Sequence, residues 1–166
     1  AASILFDWAL EVSELAPIIF DPNIRPAVMG DREKYRESVE KWVSISSVVK
    51  VSDDDLNWLY PDTDQIEIAK RWIAGGVSVV VITKGAEGLI GVTADGVVTA
   101  PGEKVEVVDT IGAGDTVGAI IAEAVKVIGL SELHGAVLMT VLEKAAHAAA
   151  ITCSRKGAQP PTAREL

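Results

Sequence analysis

Apolar and polar positions alternate along this chain with two different periods, and the elements they predict alternate in the same way. Residues 3–15 (SILFDWALEVSEL) have the apolar spacing of a helix, and residues 17–20 read as a short buried strand. After the loop DPNIRP, Asp31 is placed to cap a helix with Glu33 in its first turn. Tyr35, Val39, Trp42 and Val43 fall on one face of that helix. Residues 48–51 predict a second strand, and SDDDLNWL a short acidic helix capped by Ser52. Residues 63–74 predict a further helix, stopped by Gly75 and Gly76. VSVVVITKG is apolar and β-branched almost throughout, which predicts a strand covered on both faces. LIGVT and VVTA, joined through Ala94, Asp95 and Gly96, read as a hairpin. VEVVDT predicts another strand, followed by IGAGD and a helix to about Ile128. Ser131 is then placed to cap a last long helix into the Cys153 region, which Gly157 closes.

Such alternation predicts an α/β fold, a three-layer α/β/α arrangement of a mostly parallel sheet with helices on both faces. Ligands in these sheets gather at the carboxyl ends of the strands. The polar loops at 21–25, 50–55, 83–85 and 109–115 all follow predicted strands, so the same end of the sheet is where chemistry is expected.

Charge narrows the partners. A formal net charge of -9 repels nucleic acid, so a bound phosphate would have to be met by a few basic residues, a metal and backbone amides. No uninterrupted apolar run reaches the ~18 residues that read as a membrane span, and no signal-peptide pattern opens the chain. One cysteine, Cys153, cannot form an internal disulfide, which makes the cytoplasm the expected compartment. The chain opens at Ala1 in what reads as mid-helix, and is expected to be a portion of a longer protein.

The stretch VEVVDTIGAGDTVGAIIAEAV concentrates the candidate chemistry. Gly112, Ala113 and Gly114 leave the backbone bare before a helix, where amides and the helix dipole suit a phosphate. Asp115 would lie in the first turn, placed to accept a proton. An ordinary strand-to-helix turn with an N-terminal acid is the competing reading of the bare string. A dinucleotide site is a rival reading: Gly112, Gly114 and Gly118 make a GxGxxxG pattern, but no strand ending in an acid follows. No GxxxxGK[ST] loop occurs.

DTIGAGDT resembles the DTxGAGD signature of the ribokinase-like (PfkB) carbohydrate kinases. DPNIRP, KVSDDDLNWL, TKGAEG and ITCSRKGAQPP also fall in the order found in that family's sugar kinases, nearest the bacterial fructokinase-like branch. The resemblance covers essentially the whole chain. It implies ATP-dependent phosphorylation of a sugar hydroxyl, with fructose or a related ketose or keto-sugar acid as acceptor. Asp115 would be the general base, and the amides of Gly112, Ala113 and Gly114 the anion hole for the transferred phosphoryl group. Ser52 and Asp55 would stand at the Asn and Glu positions of the family's Asn-x-x-Glu element, Asp55 organising Mg²⁺ through water; both differ from the commonest letters.

Asn23 and Arg25 would lie near the phosphates or the acceptor, and Thr83 and Gly85 on the nucleotide loop. His147 falls at an adenine-pocket position. Asp109 and Ile111, with partners around Ser154 and Gly157, match a monovalent-cation site, K⁺ being the candidate ion. Nothing matches the family's N-terminal sugar pocket and lid. Residues 1–166 are therefore expected to be the nucleotide-binding and catalytic part of a ribokinase-like domain, with dimerisation through the missing lid. The alternative is a non-catalytic nucleotide-binding or regulatory module.

Other conspicuous residues read as structural. His134 and His147 lack the companions of a metal site, Trp8, Trp42, Trp58 and Trp72 read as packing residues, and Cys153 as a small buried hydrophobe.

Overall fold

Helix starts follow the capping acids of the sequence. The computed structural model describes residues 2–28 and 30–166. Helix α1 (Ala2–Ser13) leads into strand β1 (Ile19–Phe20), and α2 (Arg32–Val43) begins where the Asp31 carboxylate accepts from the Glu33 and Lys34 amides. Strand β2 (Val48–Ser52) runs directly into α3 (Asp53–Leu59). There Ser52 and Asp55 form a reciprocal capping box, each side chain bonded to the other's backbone amide. Helix α4 (Gln65–Ala74) is capped by Asp64, two residues into the predicted span, and strand β3 (Val79–Thr83) follows.

The chain divides into two compact units, one running to Ile82 and taking in Val92–Ala94, the other made of Thr83–Gly91 and Asp95–Leu166. Strand order in the first unit is β1-β2-β3, and β1 pairs parallel to β2 with Ile19 opposite Val48. Its core is the β-branched interior of β2 and β3 against Leu56, Leu59, Ile68 and Trp72. Burying each such side chain contributes roughly 1.5–3 kcal/mol. Three tryptophans pack as expected: Trp42 meets Phe6 and Phe20, Trp58 meets Tyr35, and Trp72 meets Tyr60. Trp8 does not. It is 60% exposed, because α1 turns Phe6 and Ala9 inward instead.

Glu40 ties this unit's helices together. Its carboxylate accepts from the Tyr60 hydroxyl, from Arg71 Nη2 at 2.9 Å and from Trp72 Nε1 at 3.1 Å. Burial, and then the carboxylate itself, push the Tyr60 phenol well above its usual range. Glu40→Leu orphans the donors of two buried aromatics and is expected to cost about 1–3 kcal/mol in chemical denaturation, with Glu40→Gln losing less because it keeps an acceptor.

In the second unit strands β4 (Gly88–Thr93) and β5 (Gly96–Pro101) are neighbours joined by a turn at Ala94 and Asp95, within the predicted link, and Gly96, at φ 136°, opens β5. Helices α5 (Ala113–Val127) and α6 (Gly135–Cys153) pack on each other, and α6 also packs on β5. A Cβ on Gly91 would meet Leu138 Cδ2 at 2.8 Å and Leu142 Cδ1 at 2.9 Å, so this glycine lets α6 lie close on the strand. By length and composition α6 could cross a bilayer; here Leu138, Val141, Leu142 and Ala145 are buried in the unit's core.

Two expectations are corrected. VEVVDT is not a strand: residues 105–110 are irregular, and Val105, Val107 and Val108 are exposed. The amides of Val108 and Asp109 both go to the Cys153 carbonyl rather than to a ladder, so loop 109–115 follows no strand. Ser131 does not cap α6 but sits in a short 3-10 turn, Leu130–Glu132; the helix starts at Gly135 behind His134 without a side-chain cap. Cys153 is half-buried, and its thiol is pushed up first by burial and then by the charge of Asp109.

Candidate active site

The opening of α5 is a bare backbone turn. Gly112 occupies the N-cap position at φ 82°, in the left-handed region, and offers no side-chain cap. A Cβ there would sit 2.8 Å from Ala158 Cβ, so glycine is required both by φ and by space. The Ala113 amide donates at 3.3 Å to the Thr110 carbonyl, whereas the Gly114 and Asp115 amides have no acceptor among the described residues. Open amides at the positive end of a helix suit an anion. Asp115, in that first turn, is exposed and has no hydrogen-bond or ion-pair partner among the described residues. An acid in the first turn also favours the helix dipole, but it needs no open amides beside it to do so.

Gly118 separates the surviving readings. Nothing lies within 4 Å of a Cβ built on it. The third glycine of a dinucleotide fingerprint is there for close helix–strand packing, and this one packs against nothing.

Behind the turn the structure supplies a brace. The Thr116 hydroxyl donates to the Gly112 carbonyl at 2.9 Å and lies 3.0 Å from the Thr152 hydroxyl, with both threonines buried. Asp109 accepts from the Ile111 amide with one oxygen and from the Gly157 amide with the other, each at 3.0 Å. Those bonds, Ile111 first, hold its carboxyl below the usual range. Asp109, Ile111 and the 154–157 turn are the residues that would hold a monovalent cation, with the anchored carboxylate as the charged donor.

The tail is fastened in turn. Glu165 accepts from the Thr162 amide at 2.8 Å and from Arg155, and is held down to about 2 chiefly by that amide and then by Arg155. A depressed carboxyl stabilises fully above its unfolded value of 4.5 and loses the contribution as pH falls towards about 2. Protection of the Thr162 amide, with its exchange corrected for the intrinsic pH dependence, is expected to fall as pH drops through that window and to stay level above it.

Within the first unit a second group of candidates comes together. Asp21 follows β1, and Lys50 Nζ pairs with its Oδ2 at 2.6 Å while its Oδ1 accepts from the Asn23 amide at 3.0 Å. Asp55 Oδ1 accepts from the Ile24 amide at 3.2 Å. Asn23 and Arg25 are exposed on either side of the buried Ile24, and Arg25 Nη1 donates to the Ile24 carbonyl at 3.0 Å. Burial pushes the Asp55 carboxyl up, with nearby Asp21 adding to the shift and the capping bonds of Ser52 opposing it. Ser52 and Asp55 thus cap α3, yet each Asp55 oxygen takes only one amide. No group of three or more metal-ligating side chains exists among the described residues. Asp55 therefore fits Mg²⁺ only as the one carboxylate of a site completed by water and phosphate oxygens, a coordination magnesium commonly takes.

Thr83 ends β3, and Gly85, at φ 51°, opens the 3-10 turn Gly85–Glu87. His147 Nδ1 lies 2.9 Å from the Glu103 carboxylate, half-exposed on α6. His134 pairs with Asp95 at 3.0 Å. Local sequence pattern does not point to Ala158 or to the threonine pair. For Lys50, its place inside the buried run VVKVS was the available signal, since such a cation requires a partner.

Comparisons with known proteins agree on one family. The model described as pfkB family carbohydrate kinase matches residues 7–165. The chain is 44% identical over 113 residues to a fructokinase of Rhizobium leguminosarum bv. trifolii, covering 68% of this chain and 35% of that one. Among solved structures, aminoimidazole riboside kinase from Salmonella enterica, complexed with aminoimidazole riboside and an ATP analog, superposes with TM-score 0.76 at 26% identity. That match covers 93% of this chain and 52% of the other. Fructokinase from Vibrio cholerae O395, in a form with fructose, ADP and calcium ion bound, gives 0.79 at 25% identity, covering 94% and 51%. The expected three-layer α/β/α fold is thereby met, and the chain spans from about a third to a half of the length of these relatives.

Proposed function

This chain belongs to the pfkB family of carbohydrate kinases, and we propose that it is the nucleotide-binding and catalytic part of an ATP-dependent sugar kinase. The observation that carries the reading is the pairing of open α5 amides with an unpartnered Asp115. The hydroxyl oxygen of the sugar attacks the γ-phosphorus of ATP, Asp115 takes the hydroxyl proton, and ADP leaves with the electrons of the broken P–O bond. Amides of the Gly112–Gly114 turn hold the charge on the phosphoryl oxygens. Asn23 and Arg25 orient the phosphates, Thr83 and Gly85 carry the nucleotide side, and His147 borders the adenine. Mg²⁺, watered and facing Asp55, would supply charge neutralisation on the phosphates. Asp109 and Ile111 would hold K⁺ beside the turn.

Fructose, or a related ketose or keto-sugar acid, is the acceptor we favour, supported by the 44% identity to a fructokinase. The activity is placed in the cytoplasm, as the single free cysteine suggests. Measurement of ADP release by the full-length protein against fructose, 2-keto-3-deoxygluconate and ribosides tests the reading. Release that depends on one of these sugars supports it. Mg·ATP binding without turnover on any of them would favour a non-catalytic module.

A further inference from the structure

We propose that Lys50 is a positioning residue for the phosphate-facing loop, acting from its buried position through an ion pair with the half-buried Asp21; this rests on the kinase reading above. Lys50 is 6% exposed in the middle of β2, where its neighbours Val49 and Val51 are fully buried. A cation there has given up its water, and replacing such a pair by apolar side chains of similar size is often neutral or stabilising, so the pair is weakly explained by stability. What the cation does instead is fix one oxygen of Asp21 at 2.6 Å. The other oxygen receives the Asn23 amide, and Asn23 turns to φ 43°, the one non-glycine residue with positive φ among the described residues. That turn brings the Ile24 amide to Asp55 and buries the Ile24 side chain, leaving Asn23 and Arg25 outward. Two carboxylates thus clamp the loop, and Lys50 holds the first of them.

The test is a double-mutant cycle on the full-length protein: Lys50→Met, Asp21→Asn and both together. The readouts are KM for Mg·ATP, kcat, thermal midpoint and hydrogen exchange at the Asn23 and Ile24 amides. Each single change is expected to raise KM about tenfold, the factor corresponding to about 1.4 kcal/mol. It should also speed exchange at both amides, and the double variant should be no worse than the poorer single one. A thermal midpoint that falls while KM and the two amides stay as in the unchanged protein would overturn the proposal, as would additive effects. Should Lys50→Met fail to fold, Asp21→Asn is compared with the double variant, and any further rise in KM overturns it. An unchanged protein that binds no Mg·ATP defeats the kinase reading itself, and with it the positioning role. One that binds normally while Lys50→Met matches it defeats the positioning role alone.

Discussion

Asp115→Asn is expected to lower kcat for sugar-dependent ADP release by about 10²–10⁴-fold, the usual contribution of a general base. The amide keeps the shape of the carboxylate and cannot take a proton from the attacking hydroxyl. Asp115 is exposed and has no partner among the described residues, so the substitution orphans nothing in the fold. Stability should therefore change by no more than the few tenths of a kcal/mol that an acid in a first helical turn contributes. Mg·ATP affinity should hold or rise, because a negative charge has been removed beside the bound phosphates. A large loss of kcat with unchanged melting and unchanged or tighter nucleotide binding is the expected pattern. Equal kcat in variant and parent would remove Asp115 from the mechanism. A matched loss of affinity and stability would make it a structural acid.

Local signals were the legible part of this molecule. The Asp31 cap, the Ser52 cap, the Asp-Gly hairpin and the buried VVVIT strand lie within a few residues of their own partners, so short-range pattern suffices to find them. VEVVDT shows where that pattern stops. Its side chains suit a strand, but a strand also needs a neighbour to pair with, and sequence spacing does not say whether one is present. Ser131 failed for a related reason: an N-cap preference competes with a 3-10 turn that takes the same residue.

The site divides along the same line. The glycine turn and Asp115 are contiguous and were read directly, while its supports come from far along the chain. Gly157 reaches back to Asp109, Thr152 to Thr116, and Lys50 to Asp21. Each of those residues is unremarkable in its own segment, apart from the lysine buried among valines. Only the fold makes Thr152 the partner of Thr116 and Lys50 that of Asp21, whereas the family resemblance already points Asp109 towards Gly157.

Gly112→Ala is expected to produce the largest combined loss, in stability and in nucleotide binding. Two separate costs meet at this position. The left-handed φ of 82° disfavours any Cβ by roughly 1–2 kcal/mol. The new methyl would also lie 2.8 Å from Ala158 Cβ and 3.1 Å from Ala158 Cα, and a methyl group has no rotamer by which to escape. Overpacking of that kind costs about 1–3 kcal/mol. Relief by backbone movement would carry the Gly112 carbonyl away from Thr116 and swing the open amides of α5 out of line. Denaturant unfolding should then show a loss of about 2–5 kcal/mol, and Mg·ATP titration a marked fall in affinity. Ala158→Gly in the same background removes the 2.8 Å contact but leaves the 3.1 Å approach to Cα and the φ as they are, so it should recover only part of the loss. Gly118→Ala, six residues on in the same helix, meets nothing within 4 Å and is expected to stabilise by about 0.5–1 kcal/mol. If the two substitutions behaved alike, the close approach of Ala158 to the turn would not be what demands glycine at 112.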